Sequence, residues 1–214
     1  MKYTITIIMI IASVSFMEAQ DAYFNVGRNF TNYDYTNSLG ESNSNVTGSS
    51  GMSYEMGFLF NPYNNIGIAL GVTLNEYNAT GGTRVDNYSW NTNYLGIQGL
   101  LKYKIIGQKN RCSHRSGRSE CFSLSIDAGV NFNHLINGQQ KINGKTYNLS
   151  DNNEFNGFFL QPLIGLDLNY LVNDTISFGI GYYFSKNYRT SGGSDEKLII
   201  NNNQLKFNLI MSLN

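Results

Sequence analysis

The strongest constraint in this sequence is a strict alternation between apolar residues and small or polar residues. The segment 66–75 shows the pattern, with Ile66, Ile68, Leu70, Val72 and Leu74 at every second position. Glycine, alanine, threonine and asparagine occupy the positions between them. Successive side chains of a β-strand point to opposite faces, whereas an amphipathic helix repeats its apolar face about every 3.6 residues. The alternation therefore predicts a β-strand and excludes a helix.

The alternation recurs in eight segments, which are residues 23–33, 54–60, 66–75, 95–105, 122–133, 158–170, 176–184 and 205–213. Eight is the smallest usual number of strands in a closed membrane barrel, whose strands need about 9 to 11 residues to cross the apolar layer. The pattern predicts an all-β fold, an eight-stranded antiparallel up-and-down transmembrane β-barrel. A soluble β-sandwich is the alternative, but its turns would come about every 8 to 12 residues, and the hairpins here are about twice as long.

The composition excludes two other classes of protein. Beyond the first 20 residues, no apolar run reaches the roughly 18 residues that a transmembrane helix needs. Barrel-forming residues are frequent, with 15 tyrosines, 13 phenylalanines and 22 glycines. The 15 basic residues equal the 15 acidic residues in number, so no charge excess points to a nucleic acid as partner.

The N-terminus has the organisation of a secretory signal peptide. Lys2 precedes an apolar stretch over residues 5–16, and Ala19 offers a small residue at a cleavage point. We therefore assign residues 1–19 to a cleaved signal peptide and residues 20–214 to the barrel domain. A buried N-terminal strand or helix is the alternative reading of the same stretch.

The connections between the segments alternate in length, which is a second indication of a membrane barrel. They are long and rich in asparagine, serine, glycine and threonine at residues 37–51, 78–90, 137–156 and 186–197. With the leader and the eight segments, this pattern resembles the small outer-membrane β-barrels of Gram-negative bacteria, including membrane domains similar to OmpA and OmpX. Barrels associated with type IX secretion are similar in size. The resemblance implies an outer-membrane location, surrounded by lipid, and a family that includes ligand-binding barrels, complex subunits and a few enzymes.

The alternation also predicts which polar residues point into the barrel. The charged residues on the inward face are Glu55, Lys102, Lys104, Asp127, Asp167 and Lys206. The interior of an eight-stranded barrel is only wide enough for its own side chains, so buried charges must pair or take up water. We expect a filled lumen in which the aspartates hold Lys102 or Lys206. A narrow polar conduit lined by the same residues is the alternative.

Arg28 is an exception on the outward face. It alternates with Phe24, Val26 and Phe30, so it is predicted to face lipid. Arginine near the bilayer midplane of a barrel costs about 2 to 4 kcal/mol. We therefore expect a bulge or an interfacial position at this residue.

Residues suited to catalysis or metal binding are scarce. The chain has two histidines, His114 and His134, and neither has a convincing catalytic partner in the sequence. Cys112, Cys121 and His114 supply at most three ligands, without a fourth at zinc-like spacing. Asp127 and Asp167 could form an acid–base pair, but an aspartate paired with a lysine requires fewer assumptions. We therefore expect no enzyme activity and no cofactor.

The connection after the fourth segment, residues 107–121, is longer than inner turns usually are. It carries the basic residues Lys109, Arg111, Arg115 and Arg118 against the single acid Glu120. Cys112 and Cys121 lie nine positions apart and could form a disulfide in an oxidising compartment, although two unpaired thiols remain the alternative. The turn is a candidate docking element for an acidic periplasmic or outer-membrane partner. A solvated hairpin without a partner is the other reading.

These observations predict a structural or binding component of the outer membrane, or a subunit of an envelope complex such as a secretion complex. The alternative function is a narrow channel or transporter for a small or apolar solute. A continuous cavity through the lumen would favour the alternative.

Overall fold

The fold consists of β-strands throughout the described chain. The computed structural model describes residues 21–36, 39–40, 46–63, 65–82, 87–107, 121–149, 158–187, 189–190 and 197–213. Within these ranges there is no helix of the length and apolarity required to cross a membrane. The strands are β1 (Asp21–Thr36), β2 (Val46–Tyr63), β3 (Ile66–Gly82), β4 (Asn87–Ile106), β5 (Phe122–Ile142), β6 (Lys145–Asn148), β7 (Phe158–Leu171), β8 (Ile176–Lys186), β9 (Arg189–Thr190) and β10 (Lys197–Ser212).

Eight of these strands form one closed antiparallel barrel. Each pairs with the next long strand along the chain, in the order β1, β2, β3, β4, β5, β7, β8, β10. The barrel closes between β1 and β10, which pair from Asp21 opposite Ser212 to Thr36 opposite Lys197. Closure leaves no open sheet edge, which explains how a sheet with one wholly apolar face avoids pairing with other chains. The predicted eight-stranded up-and-down barrel is confirmed.

The outward face of the barrel carries a continuous belt of exposed apolar side chains. Every barrel strand contributes at least one, and representatives are Phe24, Met56, Val72, Ile97, Val130, Ile164, Ile180 and Phe207. Ile97 is 68% exposed and Phe207 is 62% exposed. Exposure of so much contiguous apolar surface to water is unfavourable, whereas the outward face of a membrane barrel is covered by lipid.

The inner end of the barrel is the end with the short turns. The turn between β7 and β8 is held by Asn173, whose Oδ1 accepts hydrogen bonds from the backbone N–H of Thr175 at 2.9 Å and of Ile176 at 2.7 Å. Asparagine side chains often stabilise turns in this way. Gly107, the residue after β4, has a φ of +113°, a conformation that favours glycine.

At the opposite, outer end, the strands extend further than the sequence pattern predicts. Residues 78–90 were expected to be a loop, but β3 and β4 stay paired as far as Gly82 opposite Asn87. Residues 137–156 were also expected to be a loop, but β5 continues to Ile142 and turns back into β6. Beyond the apolar belt the hairpins have no continuous apolar face, so their alternation fades although their pairing continues.

Candidate functional site

The lumen is the main candidate site, because it collects nearly all of the polar residues that the barrel strands bury. Five of the six predicted lumen charges lie well inside it, namely Glu55, Lys102, Asp127, Asp167 and Lys206. One cluster comes from the neighbouring strands β4, β5 and β7, and the other from β2 and β10, which lie on either side of β1. Lys104 lies one inward position nearer the inner end than Lys102, at the mouth of a cavity described below.

The first cluster joins one lysine to two aspartates. Lys102 Nζ lies 2.5 Å from Asp127 Oδ2 and 2.5 Å from Asp167 Oδ2. Tyr183 Oη donates to Asp127 Oδ2 at 2.6 Å, and Ser125 Oγ donates to Asp127 Oδ1 at 2.9 Å. Both carboxylate oxygens of Asp127 therefore have partners. Within the described chain, Asp167 Oδ2 has a partner but Asp167 Oδ1 has none.

The second cluster pairs Lys206 with Glu55. Lys206 Nζ lies 2.6 Å from Glu55 Oε2, and both side chains are almost completely buried. Tyr23 Oη and Gln98 Nε2 donate to Glu55 Oε1 at 2.8 and 2.6 Å. The Lys206 ammonium also lies 4.4 Å from the centre of the Tyr183 ring, so this tyrosine contacts both clusters. The aspartates were expected to hold Lys102 or Lys206; they hold Lys102, and Glu55 holds Lys206.

Neutral polar residues fill the lumen above the charged clusters. Ser53 Oγ donates to Asn75 Oδ1 at 2.9 Å, and Gln204 Nε2 donates to Ser53 Oγ at 2.5 Å. Asn202 Nδ2 donates to Asn29 Oδ1 at 3.0 Å, across the seam between β10 and β1. These bonds satisfy groups that would otherwise cost free energy in the water-poor interior.

The outer end of the lumen is filled by an apolar group, here called the outer cluster, which comprises Tyr33, Tyr77, Ala79, Tyr94, Leu135, Leu149, Phe159 and Ile200. Leu149 is completely buried, and its backbone N–H donates to the Gly138 carbonyl at 2.9 Å. The β5–β6 hairpin thereby places a side chain in the barrel mouth. The alternation within the barrel strands could not predict this contact, because Leu149 lies beyond them.

The inner end contains a cavity with a volume of about 130 Å³, here called the inner cavity. Its lining includes Asp21, Asn61, Lys102, Lys104 and Cys121. Lys102 belongs to this lining, so the inner cavity reaches the first charged cluster. Asn61 Nδ2 donates to Asp21 Oδ2 at 3.0 Å near the mouth.

Most of the predicted docking turn falls outside the described residues. This applies to Lys109, Arg111, Cys112, Arg115 and Arg118, so the docking role and the disulfide to Cys121 both stay predictions. Cys121 is described and lines the inner cavity, and the preceding strand ends at Ile106. The turn therefore ends, at Cys121, beside the inner cavity.

The two remaining sequence candidates lie away from the lumen. Arg28 lies on the exposed outward face, and its Nη2 donates to Ser50 Oγ at 2.8 Å, beside an irregularity in the β2–β3 pairing between Ser49 and Ser53. His134 stacks on Phe158 with ring centres 4.5 Å apart, and His114 falls outside the described residues. No group of three or more histidine, cysteine, aspartate or glutamate side chains suited to a metal occurs in the described ranges.

Comparison with known proteins identifies the fold. No protein-family model matches the chain, and no curated protein matches its sequence. The crystal structure of the outer membrane protein OprG from Pseudomonas aeruginosa is similar at 13% identity, with a TM-score of 0.52 over 91% of this chain and 97% of that one. Neisserial surface protein A is similar at 11% identity, with a TM-score of 0.43 over 86% of this chain and 95% of that one. This chain therefore has the fold of the small eight-stranded outer-membrane β-barrels.

Proposed function

We propose that this chain is an integral outer-membrane β-barrel with a filled lumen that acts as a structural or binding component of the envelope. The observation that carries the proposal is the filling of the lumen at two levels. The ion pairs of Lys102 and Lys206 fill its middle, and the outer cluster fills its outer end. An ion crossing the barrel would have to displace both layers. We therefore propose neither an open pore nor an enzyme.

The membrane location is supported by the outward face and by the fold. The apolar belt surrounds the barrel, and the eight paired strands leave no edge to be covered. Residues 1–19 would direct export as a cleaved signal peptide, and residues 20–214 would form the mature barrel. Outer-membrane lipid is then the partner of the belt.

The binding role is assigned to the two ends of the barrel, because lipid covers the belt between them. The inner end combines the inner cavity with the basic connection 107–121. Lys104 at the cavity mouth and Lys109, Arg111, Arg115 and Arg118 in the connection would attract an acidic periplasmic partner. A disulfide between Cys112 and Cys121 would shorten the connection and reduce the entropy lost on docking. A subunit role in an envelope complex, including a secretion complex, follows from this surface.

Conductance of the purified barrel tests the filled lumen. The refolded wild-type protein in a planar lipid bilayer is expected to show no discrete conductance steps in potassium chloride. An open barrel of larger strand number serves as the positive control for insertion. Regular steps from the wild-type protein would contradict the proposal and support the alternative, a narrow channel for small solutes.

Crosslinking in intact cells, followed by affinity purification, tests the docking surface. Wild-type protein is expected to recover a stoichiometric envelope partner. A variant with Lys109, Arg111, Arg115 and Arg118 replaced by glutamine should lose it while the barrel still folds. Replacing Lys141 and Lys145 near the outer end by glutamine is the matched control and should retain the partner. Equal recovery by both variants would exclude the basic connection as the docking element.

A further inference from the structure

A second, smaller void lies between the two ion-pair clusters and is here called the central void. Its volume is about 20 Å³, which is enough for one particle the size of a water molecule. Asn25, Asp167 and Asn208 contribute polar atoms to its lining, and Leu100 and Ile210 contribute apolar ones. The central void and the inner cavity share Leu59, Lys102 and Ile210 in their linings, so a small solute could reach the void from the inner end.

Three residues in the lining of the central void carry polar atoms that lack a partner within the described chain. These atoms are Asn25 Oδ1, Asp167 Oδ1 and both side-chain polar atoms of Asn208. The three residues are only 9%, 3% and 5% exposed. Buried polar groups in folded proteins almost always have a hydrogen-bond partner or another ligand. Three oxygen atoms without a partner, on residues that line one void, therefore indicate an occupant that binds oxygen atoms.

Two glycines on β8 create the space for this arrangement. Gly181 pairs with Asp167 on one side and Lys206 on the other, while Gly179 pairs with Asn169 and Asn208. A Cβ atom on Gly181 would collide with Asp167 Oδ1, and one on Gly179 would collide with Asn169 Oδ1. The absence of side chains at these inward positions leaves room beside the Asp167 carboxylate.

The charge of the two clusters is not balanced. Three carboxyl groups, on Glu55, Asp127 and Asp167, face two ammonium groups, on Lys102 and Lys206, so that one negative charge is in excess when all five groups are ionised. At the inner cavity, Lys104 and Asp21 supply one charge of each sign and do not change the balance. An uncompensated charge in a buried site is strongly unfavourable, so a positive charge is expected there.

We propose that the central void binds one monovalent metal cation of the size of sodium, held by Asp167 Oδ1, Asn25 Oδ1 and Asn208 Oδ1. Oxygen atoms are the ligands that such hard cations prefer. One positive charge neutralises the excess, whereas a divalent cation would overcompensate it. A water molecule alone would satisfy the polar atoms but would leave the negative charge.

The sodium dependence of stability tests this proposal. The refolded wild-type barrel in detergent is unfolded in urea at constant ionic strength, with either sodium chloride or choline chloride as the salt. A ligand that binds only the folded state lowers the unfolded-to-folded ratio by a factor of one plus its concentration divided by Kd. At sodium concentrations of about ten times Kd we expect a decrease of about tenfold, and at about a hundred times Kd a decrease of about a hundredfold.

Two variants separate the central void from general salt effects. Asp167→Asn removes the excess negative charge with little change in size, and its stability should no longer depend on sodium. Asp34→Asn is the matched control, because Asp34 is an exposed outward carboxylate that accepts a hydrogen bond from Asn201 Nδ2 at 2.7 Å. The control should keep the full sodium dependence.

Identical wild-type stability in sodium and choline would overturn the proposal. Stabilisation by mild acid, equal in both salts, would also overturn it, because a proton would then supply the positive charge. Should Asp167→Asn fail to fold, the ²³Na linewidth of the wild-type sample decides. Broadening beyond that of a detergent blank supports the site, and no broadening excludes it.

Discussion

Replacing Lys206 by methionine should destabilise the barrel strongly, because it leaves the Glu55 carboxylate buried without its ion-pair partner. Removing one member of a buried ion pair typically costs about 3 to 5 kcal/mol. Glu55 would keep its hydrogen bonds from Tyr23, Asn25 and Gln98. These neutral donors still stabilise the carboxylate, so we expect a cost near the lower limit, about 3 kcal/mol.

The double variant Glu55→Gln with Lys206→Met should cost less than Lys206→Met alone. Glutamine is neutral, so the double variant leaves no buried charge in this cluster. Lys145→Met provides the matched control, because Lys145 is an exposed lysine on β6, and surface substitutions usually change stability by no more than about 0.5 kcal/mol.

Urea unfolding of the refolded barrel, followed by tryptophan fluorescence, measures these differences. Trp90 is the single tryptophan of the chain and packs against the outer cluster, so its emission reports the folded barrel. A cost below about 1 kcal/mol for Lys206→Met would show that its ammonium is solvated rather than buried. A double variant at least as unstable as Lys206→Met alone would refute the ion-pair argument.

Four further substitutions test other parts of the barrel by the same unfolding assay. In lipid vesicles, Ile97→Lys on the apolar belt should lower the free energy of unfolding by about 2 to 4 kcal/mol. Thr80→Lys near the outer end should lower it by only about 0 to 1 kcal/mol, and equal losses would contradict the placement of the belt. Leu149→Ala should cost about 2 to 5 kcal/mol, because it opens a cavity in the outer cluster, and a neutral effect would mean that Leu149 is not buried. Asp127→Leu should lower the free energy of unfolding by less than Lys206→Met does, because Lys102 keeps its ion pair with Asp167 and only two hydroxyl donors lose their acceptor. An unchanged stability would contradict the inward placement of Asp127.

The barrel and its inward residues could be predicted because a period of two is a property of each strand alone. Whether Asp127 or Glu55 points inward depends only on its position in the alternation. The choice of ion-pair partner depends on the stagger between strands, which no single strand encodes. Lys206 therefore pairs with Glu55 from β2, a residue 151 positions away in the sequence.

The outer end was the least predictable part of the fold. Asn143 and Gly144 both have positive φ, at 48° and 80°, and they form the tight turn between β5 and β6. An Asn-Gly pair is the strongest short-range hairpin signal, so the sequence did contain this information. It was missed because the flanking residues face water on both sides and show no alternation. Leu149 could not be assigned to the outer cluster without the hairpin that carries it.

The pairing of β1 with β10 also determines when the barrel can form. Hydrogen bonds such as that between Asn202 and Asn29 join residues 173 positions apart. Strand β1 can find its second neighbour only after β10 has been synthesised, so the barrel cannot close strand by strand as the chain emerges. Until then, the apolar face of each strand lacks its final environment, and chains with exposed apolar surface aggregate readily. Closure of the barrel is therefore an event of the whole chain, which has to stay free of aggregation until its last strand is present.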